Sequence, residues 1–404
     1  MKNTLGSILI IAGTAIGGGM LALPLASAGP GFSNSIITLA IIWLGLLASA
    51  LVLLEAVLAF PKGTNFSTIA RLTLGLPGQI AMWVSMLMLL YALDAAYISG
   101  GSSLIVAALS QAAGIHVSPH LSACLFLIVL GGIVWYSTRA VDRVNTILFS
   151  LKGIAFILLL SLFAPHVNIE QLFGAGNSHY LLYAIPIFFT SFGFHPVIPS
   201  IASYNNLDPK RCRRIILIGG TLPLIIYLVW EISTLGIIPR TGANSFFNIL
   251  SQHGSVGEMM ITFDHVLNSK LTTLAANAFS DIAVTTSFLG VSLALFDFIA
   301  DATKRPNTTK GRSQTALMAF LPPLAFALFY PNGFILALSN AAIVFAITLA
   351  VPVLSAWRLR ATGKSGAYKV AGGSALFIIL LAYYLVICVI QVGSDLGMLA
   401  QFGS

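Results

Sequence analysis

The chain has 404 residues, of which 57% are hydrophobic and only 8% charged. Ordinary soluble domains carry roughly 25% charged residues, so this composition describes a protein that lives in a bilayer. The net charge of +8 does not signal a nucleic-acid partner, because the basic residues sort by membrane side once they are placed.

A helix needs about 20 apolar residues to cross the hydrocarbon core. On that measure the sequence predicts about eleven spans, at about 5–29, 32–60, 78–110, 120–138, 144–164, 180–203, 213–238, 272–301, 315–330, 333–356 and 373–397. The first resembles a secretory leader that starts Met1-Lys2-Asn3 and ends Ala26-Ser27-Ala28-Gly29. Its apolar run is too long for the usual 7–15 residues or so, and glycines split it, so it reads as a span. With the N-terminus in the cytoplasm, seventeen of the twenty Lys and Arg residues fall inside. Arg240 and Lys270 fall outside, and Lys152 lies within span five. This is the positive-inside distribution, and an odd number of spans then puts the C-terminus on the periplasmic side. The long external loop at about 239–271 carries Phe246, Phe247, Met259, Met260 and Phe263 at spacings that suit short amphipathic helices forming an external lid, and it reads alternatively as a plain surface loop.

Two spans are interrupted. In span one the break is Thr14-Ala15-Ile16-Gly17-Gly18-Gly19, and in span six it is Thr190-Ser191-Phe192-Gly193-Phe194-His195. Unpaired backbone at membrane depth is tolerated only in protein or against a cavity. A matched pair of such breaks points to a transporter's binding site. Amides at one half-helix end suit a carboxylate, and carbonyls at the other suit an ammonium group or a cation. Gly17-Gly18-Gly19 reads alternatively as a small-residue packing surface between helices. Spans one to five (residues 1–165) and six to ten (178–357) have opposite orientations, as an inverted repeat requires. Span eleven (370–399) is an addition, and all belong to a single transport domain, 1–404.

Ionisable residues within spans are functional candidates. Lys152 can point its ammonium at carbonyls freed near Gly13 and Ile16, with hydroxyls of Thr285, Thr286 and Ser287 nearby, where it mimics a bound sodium ion and can release a proton. Its alternative is to snorkel to the interface. Asp94 shares a helix face with Tyr91, near Tyr97, and reads either as a proton or substrate group or as an acceptor for a broken helix. His195 titrates near neutral pH in water or bonds freed backbone. Phe192 and Phe288 are candidates for a ring-binding pocket. Cys124, Cys212 and Cys388 share no metal-like spacing, and no GxxxxGK[ST] or HExxH occurs, which argues against a zinc site, ATP hydrolysis and a zinc protease. No cofactor or metal is expected.

Gly13-Thr14-Ala15-Ile16-Gly17-Gly18-Gly19-Met20-Leu21-Ala22-Leu23-Pro24 resembles the first-span motif of the hydroxy/aromatic amino acid permeases. So do Tyr91-Ala92-Leu93-Asp94-Ala95-Ala96-Tyr97-Ile98-Ser99-Gly100, the span-six break, Thr286-Ser287-Phe288-Leu289-Gly290-Val291 and Phe320-Leu321-Pro322-Pro323 with the residues up to Pro331. One departure is Gly18, where that motif often has alanine. The resemblance implies a leucine-transporter-like fold of the amino acid/polyamine/organocation type in a bacterial inner membrane. It implies proton symport of tyrosine or another aromatic amino acid, with no nucleic acid and no obligate protein partner. Other readings are a carrier of another neutral amino acid, a sodium-coupled carrier, a nutrient receptor, and an intramembrane enzyme using Asp94 and His195 as an acid–base pair.

Overall fold

In the computed structural model, residues 2–174, 176–252 and 254–403 are described. Met1, the first residue of the leader-like segment, and residue 253 of the external loop lie outside them. The first span is two helices, α1 (Lys2–Ala15) and α2 (Gly19–Ser27), bent by 50°. Then follow α3 (Phe32–Leu58), α4 (Phe66–Ala113), α5 (Pro119–Tyr136) and α6 (Thr138–Phe163). After the short α7 (Ile169–Leu172), the sixth expected span is again two helices, α8 (Leu181–Ser191) and α9 (Ile198–Tyr204), joined by a 3-10 turn at His195–Val197. The rest comprises α10 (Pro209–Leu235), α11 (Phe246–Ser251), α12 (Val256–Leu267), α13 (Lys270–Ala302), α14 (Thr309–Phe329), α15 (Phe334–Ala361) and α16 (Gly373–Asp395).

Among the described residues, nine helical segments are long and apolar enough to span a membrane, and the bent α1–α2 pair makes a tenth. The protein is therefore an all-helical, multi-pass membrane protein. The ninth expected span coincides with α14, which does not match the others in apolar length. Lys310 and Arg312 occupy its first turns, leaving a stretch short of the ~20 apolar residues that a crossing needs. The third expected span starts earlier than expected: α4 runs for 48 residues from an Asn65 cap that accepts the Thr68 amide at 2.8 Å. Gly75, at φ +77°, kinks it before Pro77 and turns the first two helical turns aside.

Burial separates the centre from the rim. In α15, 67% of the apolar window is buried in protein, against 17% in α6, so α15 is central and α6 mostly meets lipid. Central α15 packs on α4, α3, α8 and α16, while α13 packs on α4 and α6, and α1 lies on α10. The broken helices α2 and α8 pack on one another inside this frame. The expected external helices are present as α11 and α12. Val256, Met259, Met260 and Phe263 of α12 are buried against the bundle, so the segment is part of the packed mouth.

The basic end is tied by an ion pair whose carboxylate is buried. Arg360 of α15 donates to Glu55 of α3 through Nε (2.6 Å) and Nη2 (2.5 Å), and Glu55 also accepts the Val370 amide at 2.7 Å. The guanidinium stacks 4.8 Å from the Phe377 ring centroid. Removing one partner of such a pair strands the other in a poorly solvated site. Arg360→Met should therefore destabilise the protein by about 3–5 kcal/mol. Thermal unfolding in detergent checks this, and an unchanged melting temperature would show the tie to be dispensable.

Candidate functional site

Helix α1 ends at Ala15, and Ile16, Gly17 and Gly18 form a bend and turn that belong to neither helix. Its last regular bond is Ile16 N–H to Ala12 O at 2.8 Å, and α2 restarts with Met20 and Leu21 donating to Gly17 and Gly18 carbonyls. Close packing explains the glycines. A Cβ on Gly17 would stand 2.2 Å from Ser287 Oγ, and one on Gly18 would stand 2.7 Å from Tyr97 Cε1. At Gly19 the nearest atom would be Ser191 Cα at 3.4 Å, an ordinary contact. The second break covers residues 192–194, closed by Gly193 N–H to Thr190 O at 3.2 Å.

Three side chains from other helices satisfy the groups these breaks release. Lys152 Nζ of α6 donates to Ile16 O at 2.7 Å and reaches Thr286 Oγ1 at 3.4 Å. Ser287 of α13 accepts the Gly18 amide at 2.8 Å. Tyr227 of α10 has its hydroxyl 2.7 Å from Ala15 O and 2.6 Å from Ser191 O, so it bridges the two breaks. Lys152, only 6% exposed, is buried at the break and does not snorkel. Its ammonium also stands 5.1 Å from the Phe149 ring centroid.

A cavity of about 530 Å³ reaches the breaks from the basic end. Its walls come from α1 (Gly13, Thr14), α4 (Met86, Leu90, Tyr97), α6 (Asn145, Phe149, Lys152), the second break (Thr190, Gly193), α13 (Thr286, Ser287, Val291) and Phe345 of α15. At the opposite face, Arg240 closes the path by donating to Ala28 O at 3.0 Å and Gly29 O at 2.7 Å, at the end of α2. The Phe402 ring lies beneath that guanidinium at 4.7 Å and meets Tyr180 and Phe247 edge-on. The cavity lies toward the basic end, and the Arg240 and Phe402 contacts pack the other.

Of the residues singled out in the sequence, Gly13, Thr14, Tyr97, Lys152, Thr190, Gly193, Thr286 and Ser287 share this cavity. Ala15 and Ile16 contribute their carbonyls to Tyr227 and Lys152. Gly17, Gly18, Gly19 and Ser191 are buried just behind the cavity wall. Ser191 Oγ back-bonds to Ile187 O at 2.7 Å, and Thr190 Oγ1 to Pro186 O and Ile187 O at 3.1 Å each, which leaves hydroxyl lone pairs as acceptors.

Several expectations are corrected. Phe192 and Phe288 are fully buried away from the cavity, the first against Tyr227 (ring centroids 5.0 Å apart) and the second against Phe126 (5.1 Å). The aromatic wall is instead Tyr97, Phe149 and Phe345. Tyr91 turns away, its hydroxyl donating to Met318 O of α14 at 2.8 Å. Thr285 is off the cavity wall, because successive residues on a helix point about 100° apart. His195 bonds Leu46 O in α3 at 2.9 Å rather than freed backbone at a break, and stacks on Phe194. Asp94 is fully buried, with Oδ1 accepting from Ser292 at 2.7 Å and no hydrogen-bond partner for Oδ2. Asp94 faces α13 and His195 faces α3, and neither lines the cavity, so they form no acid–base pair there. Sequence reasoning missed Tyr227, Phe149 and Phe345. A tyrosine in mid-span whose hydroxyl must find a partner was the available signal for the first.

The chain matches the model of the tryptophan/tyrosine permease family over residues 1–391. It is 38% identical over 384 residues to the tyrosine-specific transport system 1 of Haemophilus influenzae, covering 94% of each chain. It is 37% identical over 411 residues to a tryptophan-specific transport protein of Pseudomonas aeruginosa, covering 99% of this chain and 97% of the relative. Among solved structures, a mutant manganese transporter of Eremococcus coleocola superposes with a TM-score of 0.62 at 13% identity, covering 96% of this chain and 85% of that one. That likeness is one of fold.

The glycine contacts rank two substitutions. Gly17→Ala drives a methyl into Ser287 Oγ and should break its bond to the Gly18 amide, whereas Gly19→Ala meets only ordinary contacts. Uptake measured at matched expression should fall at least about tenfold in the first and clearly less in the second. Equal losses would mean that the break does not depend on this close approach.

Proposed function

We propose, from the premise that this chain belongs to the tryptophan/tyrosine permease family, that it imports an aromatic amino acid, tyrosine foremost, by proton symport with alternating access. Members of this family are permeases, not enzymes. The observation that carries the reading is the meeting of two broken spans at the head of a cavity of about 530 Å³, within the range of small-molecule sites. In this reading the carbonyl side of the breaks, with Ala15 and the hydroxyls of Thr190 and Ser191, takes the ammonium. The amides of Gly17, Gly18 and Gly19 take the carboxylate, with Ser287 yielding the Gly18 amide on arrival. Tyr97, Phe149 and Phe345 border the space for the ring.

Lys152 supplies the coupling. A sodium ion coordinated by helix-end carbonyls would need the place its ammonium holds at Ile16 O and Thr286 Oγ1. A lysine can give up a proton there and take one back, so the proton gradient replaces the sodium gradient. The cavity stands at the basic end, which the positive-inside rule reads as the cytoplasmic side, and we take the membrane to be a bacterial inner membrane. The structure is then the inward-facing form, with the N-terminus cytoplasmic and the C-terminus periplasmic. The two broken spans head the two halves of a leucine-transporter-like 5+5 inverted repeat, with α14 as the ninth crossing and α16 as the added eleventh.

Tryptophan is the second reading, supported by relatives of that printed specificity at similar identity. Competition among tyrosine, tryptophan, phenylalanine and leucine against one labelled substrate ranks them.

Two measurements test the mechanism. Vesicles should accumulate labelled tyrosine when an inward proton gradient is imposed and stop when it collapses. Accumulation that ignores the pH gradient but follows sodium would overturn proton coupling. In the second, Lys152→Ala should abolish gradient-driven accumulation while counterflow exchange persists at a reduced rate, and normal accumulation would remove Lys152 from coupling.

A further inference from the structure

A hydroxyl has one proton to donate, and Tyr227 stands between two acceptors. Its oxygen is 2.7 Å from Ala15 O and 2.6 Å from Ser191 O. These carbonyls terminate α1 and α8, which the inverted-repeat reading above brings in from opposite faces of the bilayer. Each helix end carries about half a negative charge, so the two ends repel unless a donor stands between them. The oxygen also has little freedom. Tyr227 is fully buried, and its ring packs against Phe192, the first residue beyond α8.

The contrast with Lys152 defines the role. Lys152 lies on the cavity wall, where cargo and water can compete for its contacts, but Tyr227 is absent from that wall. It sits behind the breaks, on α10, whereas Thr14 and Thr190, each next to one of those end residues, line the cavity. A hydrogen bond serving fold stability alone would need only one of these carbonyls. This one atom serves the final carbonyl of each broken helix.

We propose that Tyr227 is a positioning residue for transport: its shared proton fixes the spacing of the two carbonyl ends that receive the cargo's ammonium group, without itself touching the cargo. The proposal rests on the reading of the two breaks as the cargo cradle. Cargo arrives at ends already held together, and its binding energy is not consumed in drawing them together. Once the clasp is cut, cargo must do that work, so affinity falls while the moving parts remain.

Tyr227→Phe removes one oxygen and keeps the ring against Phe192. In reconstituted vesicles, counterflow of labelled tyrosine and of labelled tryptophan should show an apparent KM raised about tenfold, the equivalent of one buried hydrogen bond. The maximal rate per inserted molecule should stay within about twofold of wild type. A purely structural role would instead lower the amount of active protein and leave KM in place, so an unchanged KM overturns the proposal. If Tyr227→Phe does not insert, Phe192→Leu loosens the ring's seat and keeps the hydroxyl. It should raise KM in the same direction, and an unchanged KM there also overturns the proposal. Wild-type vesicles that exchange neither amino acid would defeat the parent reading of the breaks, a result distinct from a wild type that exchanges and a Tyr227→Phe variant that matches it.

Discussion

Main-chain N–H and C=O groups at bilayer depth have no water to fall back on, and this protein exposes them on purpose in two places. The architecture around the breaks is the set of replacements for the helical bonds that are lost. Lys152 arrives from α6, Ser287 from α13 and Tyr227 from α10, each aimed at a specific backbone atom. The most buried elements are those around this point, while α6 meets lipid along most of its length and turns inward where Lys152 is needed. The same requirement explains the glycines, since Ser287 and Tyr97 can approach the chain only where no side chain stands in the way.

How much of this was legible in the sequence depended on how unusual each residue was for its place. Three successive glycines in an apolar run, and a Phe-Gly-Phe-His-Pro string in another, are expensive in a spanning helix, and both marked true breaks. A lysine in a span is rarer still, and its expected target, the carbonyl of Ile16, is where the structure puts it. Phenylalanine carried no such information. A ring facing lipid, another facing the core and a third facing the cavity give the same pattern, so the sequence points to Phe192 and Phe288 while Phe149 and Phe345 hold the wall. Tyr91 and Asp94 share a helix face, but that face looks toward α13 and α14, which helical spacing alone does not reveal. Tyr227 was hidden by its setting, since a single hydroxyl hardly alters the apolar character of α10.

The two faces of the membrane are treated differently. At the basic end a cavity leads between α1, α4, α6 and α13 to the breaks. At the other end α2 is wholly buried and Arg240 holds its terminal carbonyls, a favourable pairing of a cation with the negative end of a helix. The barrier is therefore thick on one side and thin at the breaks themselves, where a few side-chain contacts separate the cavity from the backbone.

Phe402 gives that barrier a practical meaning. Its ring is wedged between Arg240, Tyr180 and Phe247, far along the sequence from the helices it helps to seal. A purification handle or fluorescent protein joined close behind it would pull on the wedge and bias the molecule toward leaking or toward a different resting shape. The segment between α13 and α14, around residues 305–308, is exposed on the basic side and touches none of these contacts, which makes it the gentler place to attach a reporter.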